Sequence, residues 1–160
     1  MSRYTGPRVK KMRGLGINLP GLSAKRIDRR PYAPGQHGQS RRGKLSNYAL
    51  QLREKQKIAL NYGLNEKQLR RMLVEARSSS APTGDVLAQL IERRLDNVVF
   101  RIGWALTIPA ARQLVNHRHI LVNGRTTDIA SFRVSIGDKI SLRERSQSNQ
   151  GVLELSLIHI

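Results

Sequence analysis

Residues 85–124 read DVLAQLIERRLDNVVFRIGWALTIPAARQLVNHRHILVNG, and their pattern gives the clearest indication of secondary structure in the chain. Large apolar side chains recur in its first part at intervals of three and four residues, from Leu87 through Leu95 to Ile102. This spacing places apolar side chains on one face of an α-helix. We therefore predict a single amphipathic helix over residues 85–102.

A second helix is expected after a corner at Gly103. Thr107 is a suitable N-terminal cap, because its hydroxyl oxygen can accept a hydrogen bond from a free backbone amide. Pro109 then falls in the first helical turn, where its missing amide proton does no harm. The sequence thus predicts two consecutive helices joined by a tight corner.

Short strands are predicted to follow these helices. The apolar run 120–122 meets Asn123-Gly124, the dipeptide most typical of a two-residue hairpin, since both central residues of that turn need positive φ. Apolar and polar residues alternate over 139–143, which predicts a further strand. Residues 85–145 therefore form a predicted module of two helices plus short strands, and the fold class is α+β.

The sequence pattern of residues 46–80 predicts a small helical domain. Ser46 begins a polar stretch without Pro or Gly until Gly63, and Asn65 begins a second helix. The expected inner face of that second helix consists of Leu69, Met72, Leu73 and Ala76. The turn-forming residues 78–84 predict a boundary before the module.

The composition of residues 1–45 predicts a basic extended arm. The first fifty residues contain twelve Lys and Arg but a single acid, Asp28. Frequent Gly and Pro interrupt any helical or strand period, so we expect no conventional apolar core here. The alternative for the free protein is a disordered arm that becomes ordered on a polyanion.

The charge of the whole chain calls for a polyanionic partner. Its 160 residues include 29 Lys and Arg against 11 Asp and Glu, a formal net charge of +18. Nucleic acid and an anionic membrane surface are the two candidates. The longest apolar runs are far shorter than the roughly 20 residues of a membrane-spanning helix. Cysteine is absent, which removes disulfides and thiolate ligands.

Two rows of side chains carry the functional prediction for the module. The first helix is expected to present Arg93, Arg94 and Arg101, and the second to present Arg112, Gln113, Asn116 and His117. Arg offers a planar fork for phosphate, while amides can bond a sugar hydroxyl or a base edge. Asp96 is expected to orient one Arg, and the alternative is that both rows are ordinary exposed helix faces.

The sequence also carries a resemblance to a known family. Residues 92–101 and 110–124 resemble the RNA-binding module of small-subunit ribosomal protein four. That module also occurs in tyrosyl-tRNA synthetases, pseudouridine synthases and a heat-shock RNA-binding protein. Further resemblance to the bacterial and plastid form of the ribosomal protein lies in the segments 2–7, 19–22, 32–38, 53–57 and 62–63.

The resemblance implies a primary rRNA-binding protein that nucleates assembly of the small-subunit body. It implies proximity to small-subunit ribosomal proteins five and three, and roles in decoding accuracy and at the channel through which mRNA enters. Some relatives carry a Cys-rich zinc knuckle near the N-terminus, but this chain has Val9, Lys10, Met12 and Arg13 there. No zinc, other cofactor or catalytic residue is therefore expected.

The predicted rRNA-binding residues combine the basic arm, the helical domain and the module. They are Arg3, Tyr4, Arg8, Arg30, Gln36, His37, Arg41, Arg42, Lys44, Lys55, Lys57, Arg93, Arg94, Asp96, Arg101, Arg112, Gln113, Asn116, His117, Asn123 and Arg125. Residues 146–160 depart from the family, whose members continue further, and are expected to be a truncated or frameshifted end.

Two other functions remain open from the sequence. An RNA-modifying or tRNA-charging enzyme could carry the same module, but the remaining residues are too few for a catalytic domain with a sizeable pocket. A free-standing RNA chaperone or regulator is the second alternative. The N-terminus lacks a transit peptide, so we expect a ribosome of the bacterial cytoplasm or of the plastid (chloroplast) stroma.

Overall fold

A computed structural model describes residues 4–40 and 43–147. The chain divides into two compact units, Met1–Glu66 and Lys67–Ile160. Three predicted site residues, Arg3, Arg41 and Arg42, lie outside the described residues, as does most of the predicted atypical tail. The domain limits expected from the sequence stay predictions.

The first unit contains two helices, α1 (Arg8–Leu15) and α2 (Asn47–Asn61). The Ser46 hydroxyl caps α2 by accepting a hydrogen bond from the Ala49 amide over 3.3 Å. Beyond α2, Gly63 has a φ of 62° and turns the chain out of the helix. The helix predicted between Ser46 and Gly63 is confirmed.

A small apolar cluster in the first unit was not expected. Met12, Leu19, Leu22 and Ile27 are buried together, and Leu60 of α2 packs against them. The prediction that Gly and Pro prevent an apolar core in the basic arm is wrong for this segment. The physical reason is that Gly16, with a φ of 70°, ends α1 and reverses the chain onto Met12. Elsewhere between α1 and α2, the described residues contain no helix or strand.

The second unit contains the remaining helices and one sheet. The helices are α3 (Glu66–Arg77, which begins at the last residue of the first unit), α4 (Thr83–Glu92), α5 (Leu95–Ile102), α6 (Ile108–Asn116) and α7 (Glu144–Gln147). The strands are β1 (Ile120–Val122), β2 (Arg125–Thr126) and β3 (Ile140–Leu142), paired antiparallel in the order β2-β1-β3. The predicted α+β class is confirmed.

The single helix predicted over residues 85–102 is wrong, because the structure breaks it into α4 and α5. Arg94 is extended, with φ −69° and ψ 137°, and it forms an isolated antiparallel bridge with Arg133. The Leu95 amide donates to the Phe132 carbonyl and the Val134 amide donates to the Arg93 carbonyl, each over 2.8 Å. These bonds replace helical ones, while both helices keep an apolar face inward.

The corner, cap and hairpin expected around α6 are confirmed. Gly103 has a φ of 92°, and the Thr107 hydroxyl accepts from the Ala110 amide over 3.3 Å. Asn123 and Gly124 have φ values of 51° and 78°, which a two-residue turn between β1 and β2 requires. Local sequence signals therefore fix these three features.

The core of the second unit joins α5, α6 and the sheet. Its buried members are Leu95, Val99, Ala105, Ala111, Val115, Ile120, Val122 and Ala130. Helix α3 buries Leu69, Met72 and Ala76, as its spacing predicts. Among residues 4–40 and 43–147, no helix is long and apolar enough to span a bilayer.

Candidate nucleic-acid interface

A buried carboxylate organises the module. Asp96, in the first turn of α5, accepts two hydrogen bonds from Arg94, from Nε over 3.1 Å and from Nη2 over 2.8 Å. It also accepts from the Asn97 amide over 3.0 Å. Both partners of this ion pair are buried, with side-chain exposures of 3% for Arg94 and 1% for Asp96. A buried carboxylate must be paired in this way, since an isolated charge in the interior is strongly unfavourable.

The same carboxylate holds a second arginine from the next helix. Arg112 Nη2 on α6 donates to Asp96 Oδ2 over 3.0 Å, and the Arg112 side chain is 14% exposed. The sequence predicted that Asp96 orients one Arg, whereas the structure shows that it orients two. Arg112 Nε is buried and has no hydrogen-bond partner within the part of the chain that the structure describes. Arg94 lies in the interior, while the Arg112 side chain is partly exposed.

Hydrogen-bonding side chains line the exposed side of α6 and its C-terminal end. Gln113, Asn116 and His117 are all exposed, at positions that share one side of the helix. Amide and imidazole groups can both donate and accept hydrogen bonds. This row has the chemistry needed to bond ribose hydroxyls and base edges.

The β1–β2 turn is also exposed, and Arg125 lies at the start of β2. Asn123 Nδ2 donates to Asp138 Oδ1 over 2.9 Å, and Asn123 Oδ1 accepts from the Lys139 amide over 2.9 Å. The hydrogen bond from the Ser135 amide holds the pKa of Asp138 below its ordinary value, and the Asn123 amide adds to this effect. Both polar atoms of the Asn123 side chain thus hold the turn against the segment before β3.

Arg93 and Arg101 do not share a helix, which corrects the row predicted from the sequence. Arg93 lies at the break after α4, and its Nε donates to the Val134 carbonyl over 2.9 Å. Arg101 lies in the last turn of α5 and forms an ion pair with Glu92 over 2.9 Å. Both residues are exposed, and a surface ion pair such as that of Arg101 contributes little to stability.

Those predicted site residues of the first unit that the structure describes lie at its surface. Arg8 Nη1 donates to the Leu22 carbonyl over 3.4 Å, and the Tyr4 hydroxyl donates to the Pro7 carbonyl over 3.3 Å. The side chains classed as exposed are those of Tyr4, Arg8, Arg30, Gln36, His37, Lys44 and Lys55. Lys55 pairs with Glu66 over 2.9 Å, and the partly exposed Lys57 pairs with Glu54 over 2.6 Å.

Arg13 was not singled out by the sequence but makes specific contacts in the structure. Its guanidinium bonds the carbonyl oxygens of Tyr32 and Ala33, residues 19 and 20 positions further along the chain. Nothing in the local pattern of α1 indicates partners at that distance. A basic residue in the last turn of a helix is ordinary, because it complements the helix dipole.

Comparisons with known proteins cover most of the chain. A family profile described as ribosomal protein S4/S9 N-terminal domain matches residues 3–92, and the S4 domain profile matches residues 93–140. The small ribosomal subunit protein uS4 of Methylobacillus flagellatus is 59% identical over 155 residues, which cover 96% of this chain and 76% of that protein. The chain belongs to the small ribosomal subunit protein uS4 family.

Two further uS4 relatives extend the comparison across bacterial groups. Protein uS4B of Nitrosomonas europaea is 55% identical over 147 residues, which cover 91% of this chain and 72% of that protein. The uS4 protein of Nostoc punctiforme is 57% identical over 150 residues, covering 94% of this chain and 73% of that protein. These relatives are ribosomal proteins rather than enzymes.

The two profiles of the uS4 family meet at the helix break. The first profile ends at residue 92, the last residue of α4, and the second begins at residue 93. The buried pair of Arg94 and Asp96 therefore belongs to the S4 domain, together with α6 and the hairpin. The resemblance stated from the sequence is confirmed for both parts of the chain.

Proposed function

We propose that this uS4-family chain is a structural constituent of the small ribosomal subunit that binds small-subunit rRNA as a primary binder. In this role it nucleates assembly of the subunit body and contributes to translational accuracy. The observation that carries the proposal is the S4 module, in which Asp96 holds Arg112 beside the exposed row Gln113, Asn116 and His117. That surface combines one anchored cation with hydrogen-bonding groups suited to folded RNA.

The two units supply different contributions to binding. The basic residues of the first unit provide charge, which favours any polyanion through release of condensed counterions. The α6 row provides hydrogen-bonding groups, which favour one RNA shape over another. Affinity therefore resides largely in the first unit and selectivity in the second.

The proposal extends to the partners of the chain. We place it on small-subunit rRNA next to ribosomal proteins five and three, near the channel through which mRNA enters. Membrane and cofactor have no role in it. The bacterial and cyanobacterial relatives support a ribosome of the bacterial cytoplasm, and the cyanobacterial ones also support a plastid ribosome.

Filter binding of the full chain tests this function. The probes are a junction fragment of small-subunit rRNA and an unrelated RNA duplex of equal length, each titrated from low to high salt. We expect both affinities to fall with salt, and the preference for the junction to persist because hydrogen bonds are not screened as charges are. Equal affinity for both probes at every salt concentration would reduce the activity to non-specific attraction and favour a chaperone.

A further inference from the structure

The Arg13 side chain of α1 holds the turn formed by residues 32–38 in the first unit. The Arg13 guanidinium lies over the Tyr32 ring, 5.0 Å from the ring centroid. Its Nε donates to the Tyr32 carbonyl oxygen over 3.1 Å, and its Nη2 donates to the Ala33 carbonyl oxygen over 3.4 Å. A planar guanidinium can stack and donate in its own plane at once. Arg13 therefore fixes both the ring and the backbone at the start of the turn 32–38.

Gly38 closes the other end of the same turn. Its amide donates to the Gly35 carbonyl over 3.2 Å, and Gly35 has a φ of 101°, in the region that favours glycine. A Cβ atom on Gly38 would lie 1.9 Å from the Ala33 carbonyl oxygen and 2.8 Å from its carbon. This carbonyl oxygen is one of the two that Arg13 bonds. The Ala33 carbonyl group is therefore contacted both by Arg13 and by the backbone at Gly38.

Gln36 and His37 lie between these two anchors, and both are exposed. They make an amide and an imidazole available to solvent, groups that donate and accept hydrogen bonds. The His37 carbonyl accepts from the Ser40 hydroxyl over 3.2 Å, which holds the backbone on the far side of the tip. The turn thus presents two hydrogen-bonding side chains on a backbone that is already ordered.

We propose that Arg13 is a positioning residue for RNA binding, which orders the turn 32–38 so that Gln36 and His37 meet base edges or ribose hydroxyls of rRNA. Arg13 itself does not contact the RNA. Its contribution is preorganisation, since a turn that is ordered before binding loses less conformational entropy when it binds. This inference rests on the proposed rRNA-binding function.

Salt dependence separates positioning from phosphate contact. An Arg that contacts a phosphate contributes about one unit to the slope of log affinity against log salt. Arg13 directs its guanidinium at two protein carbonyls, so Arg13→Met should weaken binding about tenfold with the slope unchanged. Arg13→Lys keeps the charge but lacks the planar fork, and we expect it to bind almost as weakly as Arg13→Met.

A double-mutant cycle tests whether Arg13 acts through the tip of the turn. The full chain is titrated with transcribed small-subunit rRNA from Methylobacillus flagellatus, for wild type, Arg13→Met, His37→Ala and the double variant. We expect the double variant to bind no more than about twofold more weakly than Arg13→Met, because Arg13→Met alone already removes the positioning of His37. The matched control is Lys10→Met, which removes one charge from the same helix, and its effect should add to that of His37→Ala.

Two measurements on the free protein accompany the cycle. In Arg13→Met, the Gly38 amide should exchange its hydrogen faster, while the Leu50 amide of α2, bonded to the Ser46 carbonyl over 3.0 Å, should keep its rate. Faster exchange at both amides would mean that Arg13 merely stabilises the unit. Gly38→Ala forces the same turn open and should reproduce the binding loss of Arg13→Met.

The inference and the proposed function fail in different ways. Wild-type protein that does not prefer small-subunit rRNA over an unrelated RNA contradicts the proposed function. Wild-type preference combined with unchanged binding by Arg13→Met or Gly38→Ala overturns the inference alone. Additive effects of Arg13→Met and His37→Ala, or a salt slope that falls by about one in Arg13→Met, also overturn it.

Discussion

Arg112 on α6 donates a hydrogen bond to Asp96 on α5 over 3.0 Å, so one buried carboxylate links the candidate RNA surface to the core of the S4 module. Arg94 approaches the same carboxylate from the break between α4 and α5. The helix break, the helix pair and the exposed row on α6 are therefore coupled through Asp96. Mutations in this cluster should affect both stability and RNA binding.

Asp96→Asn should strongly destabilise the second unit. The substitution keeps the size of the side chain but leaves two arginines without their anionic partner, one of them buried. Removing one member of a buried ion pair costs about 3–5 kcal/mol of unfolding free energy. Urea unfolding at pH 7 measures this loss. A change below about 1 kcal/mol would show that the arginines find other partners or water.

Gln113→Ala combined with Asn116→Ala should weaken junction binding about tenfold without changing stability. Both side chains are exposed, so their removal should change the unfolding free energy by less than about 0.5 kcal/mol. Gln89→Ala is the matched control, because it removes an exposed amide from α4 instead. Filter binding to the junction and to an unrelated duplex measures the effect. An equal loss on both probes would contradict the selectivity assigned to α6.

The unfolding free energy should fall at acidic pH, partly through Glu75. Arg133 donates two hydrogen bonds to the Glu75 carboxylate, one of them from Nη2 over 2.6 Å, and they hold the pKa of Glu75 below its ordinary value. A carboxylate with a lowered folded-state pKa stabilises the fold above its unfolded pKa of about 4. That stability is lost as pH falls through the folded-state pKa.

Urea unfolding between pH 7 and pH 2 measures this dependence on Glu75. Glu75→Gln should be less stable than wild type at pH 7 and should lose less stability on acidification. Asp138, whose pKa is also lowered, retains its part of the pH dependence in that variant. Identical pH profiles for wild type and Glu75→Gln would contradict the role of the Arg133 pair.

Two glycine substitutions should shift stability in opposite directions. Gly124 has a φ of 78° and open space around an added Cβ, so Gly124→Ala meets only conformational strain, about 1 kcal/mol. Gly84 also has open space but lies inside α4 and is not among the glycines with positive φ. Gly84→Ala should therefore stabilise the fold, by less than the roughly 0.5–1 kcal/mol of a mid-helix glycine, because Gly84 lies in the first turn of α4. Thermal unfolding distinguishes the signs, and equal shifts would contradict the turn geometry.

Features with local signals were predictable from the sequence. The Asn123-Gly124 turn and the Thr107 cap each depend on residues within a few positions, and the structure confirms both. The helix break at Arg94 depends instead on backbone bonds to residues 132–134. Periodicity could not reveal it, because the apolar spacing continues across the break.

The residues of the candidate site also fall into those predictable from local patterns and those that depend on distant residues. Exposed positions such as Gln113 and His117 follow from the helical period of α6. The interior position of Arg94 does not follow from the sequence pattern. A charged side chain is predicted to be exposed unless its buried partner is known. Arg13 was missed for a related reason, because its carbonyl partners lie 19 and 20 residues away. Long-range pairing is the information that the sequence pattern lacks.

Co-sedimentation of the tagged full chain with small subunits in a bacterial host tests the central claim most directly. The gradient is run at low and then at high ionic strength, with an unrelated basic protein as the control. An integral component held by shape-specific contacts should remain with the small subunit at high salt while the control dissociates. Release of the chain together with the control would contradict its assignment as a structural constituent of the subunit.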